Sequence, residues 1–149
     1  MSGLLIRRGE WVVVCDGSKA LVLCNTGRGR SPDLRTVEVF KQNDPATREQ
    51  GSDAPGRVMH SIGGVRSAVD QTDWHAQAER AFLTRLAQHL DAAVNAGKTN
   101  SVILVAPPRA LGILRSSLGN ALRAAVRAEV DKDLVKMPIP EIVKHLTGG

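Results

Sequence analysis

The sequence has no tyrosine, two tryptophans and two phenylalanines in 149 residues. Proteins that grip single-stranded nucleic acid stack bases on exposed aromatic rings, and four rings leave few to spare. Trp11, Phe40, Trp74 and Phe82 all fall at positions expected to pack against the core. Any nucleic acid would therefore be held through phosphates and shape. Cysteine is as scarce. Cys15 and Cys24 sit inside two apolar strands, and a hairpin turning at Asp16-Gly17 sets them too far apart for a disulfide. Together with four scattered histidines they make no metal set, so no metal or cofactor is expected. Long apolar runs are missing too. Runs such as Trp11–Cys15 and Val102–Ala106 stop at five residues, far below the ~20 residues of a membrane helix. Leu4, Leu5 and Ile6 precede Arg7 and Arg8, the reverse of a secretory signal, in which the basic region comes first. The expectation is a cytoplasmic protein with no membrane contact.

What is present is ordinary for a globular chain: 42% hydrophobic and 23% charged residues. Residues 1–149 suit a single domain that buries roughly 70% of the surface of its unfolded form. The net charge of +5 favours polyanionic partners such as RNA or DNA.

Trp11–Cys15 is a β-rich run, closed by the turn signal Asp16-Gly17. Lys19–Asn25 follows as a nearly continuous apolar strand. After a glycine- and arginine-rich link, Val37 and Val39 alternate with Thr36 and Glu38 in the manner of an edge strand. Periodicity then stops over 43–73, a loop holding Pro45, Gly51, Pro55, Gly56, Gly63 and Gly64. Unstructured loops that long are uncommon in compact domains. A helix is expected from Asp73, as N-cap, to about Ala96, stopped by Gly97. Its buried stripe is Ala78, Phe82, Leu86, Leu90 and Val94. Ser101–Ala106 reads as a central strand, and Pro107 and Pro108 open a second helix in which Gly112 would let the helix pack closely on the sheet. Arg115 is expected to pair with a nearby acid. Over 119–130 helical spacing (Leu118, Leu122, Val126, Val130) competes with strand alternation (Val126, Ala128, Val130), and the expectation is a short helix that gives way to an edge strand near Ala125; a last helix begins at Pro138 or Pro140 and ends near Leu146. With right-handed crossovers these elements assemble as a three-layer α/β fold. Its five-stranded mixed sheet has order 3-2-1-4-5 with strand 2 antiparallel, as in ribonuclease-H-like folds.

Three sets of residues could carry function. Arg48, Arg57 and Arg66 punctuate the long loop, whose glycines permit close backbone approach to phosphates; the competing reading is a solvated loop with incidental charge. Arg28 and Arg30 resemble a phosphate-binding turn but lack a Gly-Lys-Ser/Thr ending and a following helix, so a plain hairpin connection competes with a secondary anion contact. Asp16, Asp73, Glu79, Asp131 and Asp133 are the acids a metal-dependent nuclease would need. Turn chemistry, helix capping and a solvated strand end already account for most of them. His60, beside Ser61, has no identifiable acid partner, His75 and His89 share a face of the long helix about four turns apart, and His145 should face solvent. No catalytic residue is assigned, and the chain reads as a non-enzyme.

Several stretches resemble the bacterial host attachment protein family, described as required for attachment to host cells. They are Val14-Cys-Asp-Gly-Ser-Lys-Ala20, Asp53-Ala-Pro-Gly-Arg57, Ala106-Pro-Pro-Arg-Ala-Leu-Gly-Ile-Leu-Arg115 and Glu129-Val-Asp-Lys-Asp-Leu134, in that order along the chain. That family is similar to the middle domain of archaeal and eukaryotic peptide-release factors, which implies the same sheet order and a place near the ribosome. In those factors a Gly-Gly-Gln tripeptide promotes ester hydrolysis. Gly63 and Gly64 match its glycines, but Val65 replaces the glutamine and cannot position water by hydrogen bonding. The resemblance therefore implies a release-factor-like domain that meets RNA or the ribosome through Arg48, Arg57, Gly63, Gly64 and Arg66, without hydrolysis. The alternative is a protein-interaction module with a direct or indirect role in attachment.

Overall fold

In the computed structural model, which describes residues 4–27, 32–42 and 68–148, the two fully apolar runs are the two central strands. All five residues of β1 (Trp11–Cys15) and of β4 (Val102–Ala106) are buried. They lie side by side in parallel, Trp11 opposite Val102 and Val14 opposite Val105. β2 (Lys19–Asn25) runs antiparallel to β1 and to β3 (Leu34–Lys41), and β5 (Val126–Asp131) is parallel to β4. The sheet order is β3-β2-β1-β4-β5, as the right-handed-crossover argument requires.

One face of the sheet is covered by α1 (Ala68–Asn95), α2 (Pro108–Ser117) and α3 (Asn120–Ala125). Val13, Val22 and Leu104 meet Leu83, Leu86, Leu90, Leu114 and Leu122 there. The opposite face carries α4 (Ile139–Thr147) and the amino-terminal segment, where Ile6, Ile142 and Leu146 pack on Val12, Leu23, Ile103 and Val105. The sheet is thus the middle of three layers.

Each edge strand carries a one-residue irregularity. On β3 the register steps from Val22 opposite Glu38 to Leu23 opposite Thr36, which leaves Val37 out. On β5 it steps from Val102 opposite Val126 to Ile103 opposite Ala128, which leaves out Arg127. Bulges of this kind blunt an edge against further strand addition and re-aim a side chain. Val37 and Val39 accordingly stay 43% and 45% exposed without a pairing strand beyond them.

Several expectations are corrected. The long helix begins at Ala68, five residues before Asp73, because nothing between Ala68 and Asp73 breaks a helix; Asp73 is therefore interior and not an N-cap, and the loop is shorter than 43–73. Trp74 is 60% exposed and not in the core. A helix of 28 residues is roughly 42 Å long, whereas a five-residue strand spans about 17 Å. The apolar stripe of α1 thus outruns the sheet, passing from buried Phe82 through half-buried Ala78 to Trp74. Gly112 is also exposed, with open space where its side chain would be, so it makes no close contact. The close-packed glycines are Gly17, where a Cβ would overlap the Glu79 carboxylate, and Gly119, where one would come within 2.6 Å of the Asp91 carboxyl carbon.

Other features stand as read. Gly97, at φ +80°, ends α1 as Lys98 N donates to Ala93 O and Gly97 N to Val94 O, the paired bonds of a Schellman cap. Both cysteines are free, and Arg115 Nε donates to Glu129 Oε1 at 2.6 Å. No helix among the described residues is long and apolar enough to cross a membrane.

Candidate functional site

In open α/β sheets the carboxyl ends of parallel strands leave a crevice where ligands bind. Here β1 ends in the Asp16–Ser18 turn, β3 ends beside Gln42, and β4 ends at Pro107, which serves as N-cap to α2. A cleft of about 660 Å³ lies among these ends and α1, lined by Asp16, Ser18, Gln42, His75, Glu79 and Arg109 among others. That size falls within the ordinary range of small-ligand pockets.

The walls are tied to one another. Asp16 Oδ1 accepts hydrogen bonds from Ser18 N at 2.8 Å, Lys19 N at 2.9 Å and Ser18 Oγ at 3.2 Å, which fixes the tight turn its position predicts. Gln42 Nε2 donates to Gly17 O at 3.1 Å, and Gln42 N to Ser18 O at 2.8 Å; together they fasten the end of β3 to that turn. Glu79 lies against Gly17 and accepts from Arg109 Nε at 2.7 Å. α1, the β1–β2 turn and α2 therefore meet at one carboxylate. His75, one helical turn before Glu79, is exposed at the mouth.

This arrangement does not favour covalent or metal chemistry. Cys15 lies just below the cleft, but burial, aided by the charge of Asp16, pushes its thiol up to about 12, so it stays protonated at neutral pH and is no nucleophile. Burial also raises Cys24. Asp16 and Glu79 share the cleft, whereas Asp131, the last residue of β5, and Asp133, two residues beyond it, are exposed and do not line it. No group of three or more His, Cys, Asp or Glu residues among the described ones could hold a metal ion. The side chain of Asp73, another acid of that expected set, lies outside the described residues. His89, away from the cleft, meets Glu38 Oε1 at 2.7 Å and the Phe40 ring edge-on; no local sequence pattern announces that acid. His145 is exposed.

Arg48, Arg57, Gly63, Gly64 and Arg66 lie outside the described residues, as do His60, Arg28 and Arg30. The anchor points of their segments are described. The stretch 43–67 leaves from Gln42 and returns at Ala68, and Gln42 lines the cleft. The stretch 28–31 is rooted at the other end of the sheet, where Asn25 Oδ1 accepts from Gly27 N and Asp33 N, both at 2.9 Å. The two arginine sets therefore start from opposite ends. Sequence reasoning weighed His75 without assigning it a role and passed over Gln42, Ser18 and Arg109. The available signals were the four-residue spacing of His75 and Glu79 on one helix face and an arginine in the first turn after a central strand.

The opposite, amino end of the sheet holds a second polar cluster, built on a buried carboxylate. Glu10 is 1% exposed. It accepts from Arg127 Nε at 2.6 Å and Nη2 at 2.8 Å, from Ser101 Oγ at 2.6 Å and from Arg7 N at 2.9 Å. Burial alone would raise its carboxyl, but the hydrogen bonds from Arg127, Ser101 and the Arg7 amide outweigh that and hold it below its ordinary value. Its hydrogen bonds to Glu10 raise Arg127 in turn. This cluster holds structure: its carboxylate is buried and fully engaged, and only Arg127 keeps some contact with solvent.

A family model described as "Protein required for attachment to host cells" matches residues 11–146, from the first residue of β1 into α4. Among curated proteins none matches the chain.

Proposed function

The chain belongs to the family of proteins required for attachment to host cells, and from that premise we propose that it is a non-enzymatic interaction module acting in attachment. The module engages a protein partner at the cleft on the carboxyl end of the sheet, and its role in attachment is direct or is exerted from within the cytoplasm. The observation that carries this reading is the cleft itself: a pocket of about 660 Å³ whose carboxylates are engaged by the protein's own turn and by Arg109. Such a site offers shape and a rim with Arg109 and His75, a composition suited to recognition more than to turnover. The test is an attachment assay with bacteria lacking the chain, complemented by wild type or by a His75→Ala/Arg109→Ala variant. Wild type should restore attachment and the cleft variant should not. Normal attachment by the deleted strain would sink the reading.

A second reading is favoured by the sheet order, which is the order that the release-factor resemblance implies, and by the net charge of +5. In it the segment carrying Arg48, Arg57, Gly63, Gly64 and Arg66 contacts RNA or the ribosome. Phosphate contacts weaken steeply with salt. Co-sedimentation with a ribosomal subunit at low salt, lost at high salt and in Arg57→Ala/Arg66→Ala, would support it. A protein that stays at the top of the gradient under gentle conditions would count against it.

A further inference from the structure

A second cavity, of about 470 Å³, lies at the amino end of the sheet, between the turn at Arg8-Gly9 and the chain leaving α1. Arg8, Gly9, Val94, Lys98, Thr99 and Asn100 line it. Two groups of bonds make it a built feature. Thr99 is buried, and its Oγ1 donates to Gly9 O at 3.2 Å, which stitches one wall to the other. Gly9 N donates to Asn25 O at 2.7 Å, and Lys98 N to Ala93 O at 3.0 Å, so neither wall is a free loop.

Its lining carries two cations and no acid. Arg35, Arg109, Arg115 and Arg127 each sit on a carboxylate of the protein itself. Arg8 and Lys98 have no such partner among the described residues, and no acid lines their cavity. An anion in the cavity would complement the two cations that line it. The cavity pairs a guanidinium, which can fork onto two oxygens, with an ammonium and a carboxamide, while the Thr99 hydroxyl is engaged by Gly9 O and Ser101 O. We propose that this cavity binds a phosphate monoester. The charge stoichiometry selects it over a carboxylate: a monoester carries close to two negative charges at neutral pH, matching Arg8 and Lys98, whereas a carboxylate carries one. The site is independent of the cleft at the other end of the sheet, and its Arg8 wall lies before the stretch that the family model matches.

The test is a titration of the isotope-labelled full chain with glycerol 3-phosphate at constant ionic strength, read by amide resonances. The amides of Gly9, Lys98, Thr99 and Asn100 should shift saturably, with half-saturation near or below about 1 mM, and acetate at equal concentration should not reproduce this. Arg8→Gln/Lys98→Gln should weaken binding at least about tenfold, because it removes both charge-assisted hydrogen-bond donors; both side chains are exposed, and an unchanged thermal midpoint verifies the fold. Flotation with phosphatidylcholine vesicles carrying phosphatidic acid identifies the source. Co-flotation that the double variant abolishes assigns the phosphate to a lipid headgroup; saturable glycerol 3-phosphate binding without flotation assigns it to a soluble molecule. Shifts that acetate reproduces, binding that survives the double variant, or no response in either arm would overturn the proposal.

Discussion

The two ends of the sheet use the same kinds of side chain to opposite effect. At the amino end, Glu10 and Arg127 meet inside the protein, with Ser101 and the Arg7 amide completing the shell. At the carboxyl end, Glu79 and Arg109 meet at the rim of an open cleft, with Glu79 side-chain exposure 21% and Arg109 67%. Burial decides the difference. A carboxylate removed from water must be fully hydrogen-bonded or it becomes a large liability. One still in contact with water gains little from its partner and can exchange it at little cost. A closed pair fixes structure, while an open pair leaves its groups available.

Removing one partner of the closed pair should have the largest effect. Arg127→Ala strands the Glu10 carboxylate, and a broken buried pair costs roughly 3–5 kcal/mol. Arg127 retains some solvent contact at 27%, so a loss near the lower end, about 3 kcal/mol, is expected in urea unfolding. Arg127→Lys should fall between, because lysine cannot reproduce the forked contact. The pair also has a pH signature. The Glu10 carboxyl is held below its ordinary 4.5 when folded, so the stabilisation is complete above that value. It is lost as pH falls below 4.5 through the folded value, where protonation breaks the pair. Wild type should lose stability over that acid range more steeply than Glu10→Gln; equal slopes would contradict the assignment.

Glycines give the next contrast. Gly17→Val would force the Glu79 side chain out of its seat and pull it from Arg109. Overpacking of this kind costs about 1–3 kcal/mol, with the upper part tempered here because the displaced group is a flexible side chain. Gly112→Ala meets open space in an exposed helical turn and should stabilise by about 0.5–1 kcal/mol. A destabilised Gly112→Ala would restore the close-packing reading that the structure removes.

How much of this the sequence discloses depends on the range of the interaction. β1 and β4 are legible because a fully apolar run of five residues has few places to go but the middle of a sheet. The handover from α3 to β5 is legible because helical spacing at Leu122 gives way to alternation at Val126, Ala128 and Val130 within a few residues. Glu10 and Arg127 lie 117 positions apart, and no local pattern links them. Alternation along β5 places Arg127 on the outward side, as the structure does, but says nothing of its reach to Glu10. The cleft is similarly non-local, drawn from the β1–β2 turn, the end of β3, α1 and the start of α2. Trp74 shows a different limit: the stripe of α1 continues in sequence past the point where the sheet beneath it ends.

The smallest expected stability effect sharpens the comparison most. Arg109→Ala removes the open-end counterpart of Arg127, with a carboxylate partner at a similar distance, 2.7 Å against 2.6 Å. If contact distance set the energy, the two variants would be alike. If burial sets it, Glu79 keeps part of its hydration when Arg109 is gone, and the loss should stay within about 0.2–1 kcal/mol, a fraction of that in Arg127→Ala. Chemical denaturation of the two variants side by side decides between these. A loss of several kcal/mol on Arg109→Ala would make the carboxyl end a structural clamp like the amino end, and the cleft would no longer be a site whose groups are available to a partner. A small loss of stability with a full loss of attachment would separate the two ends as proposed, because a residue that the fold hardly needs would then be required by the function.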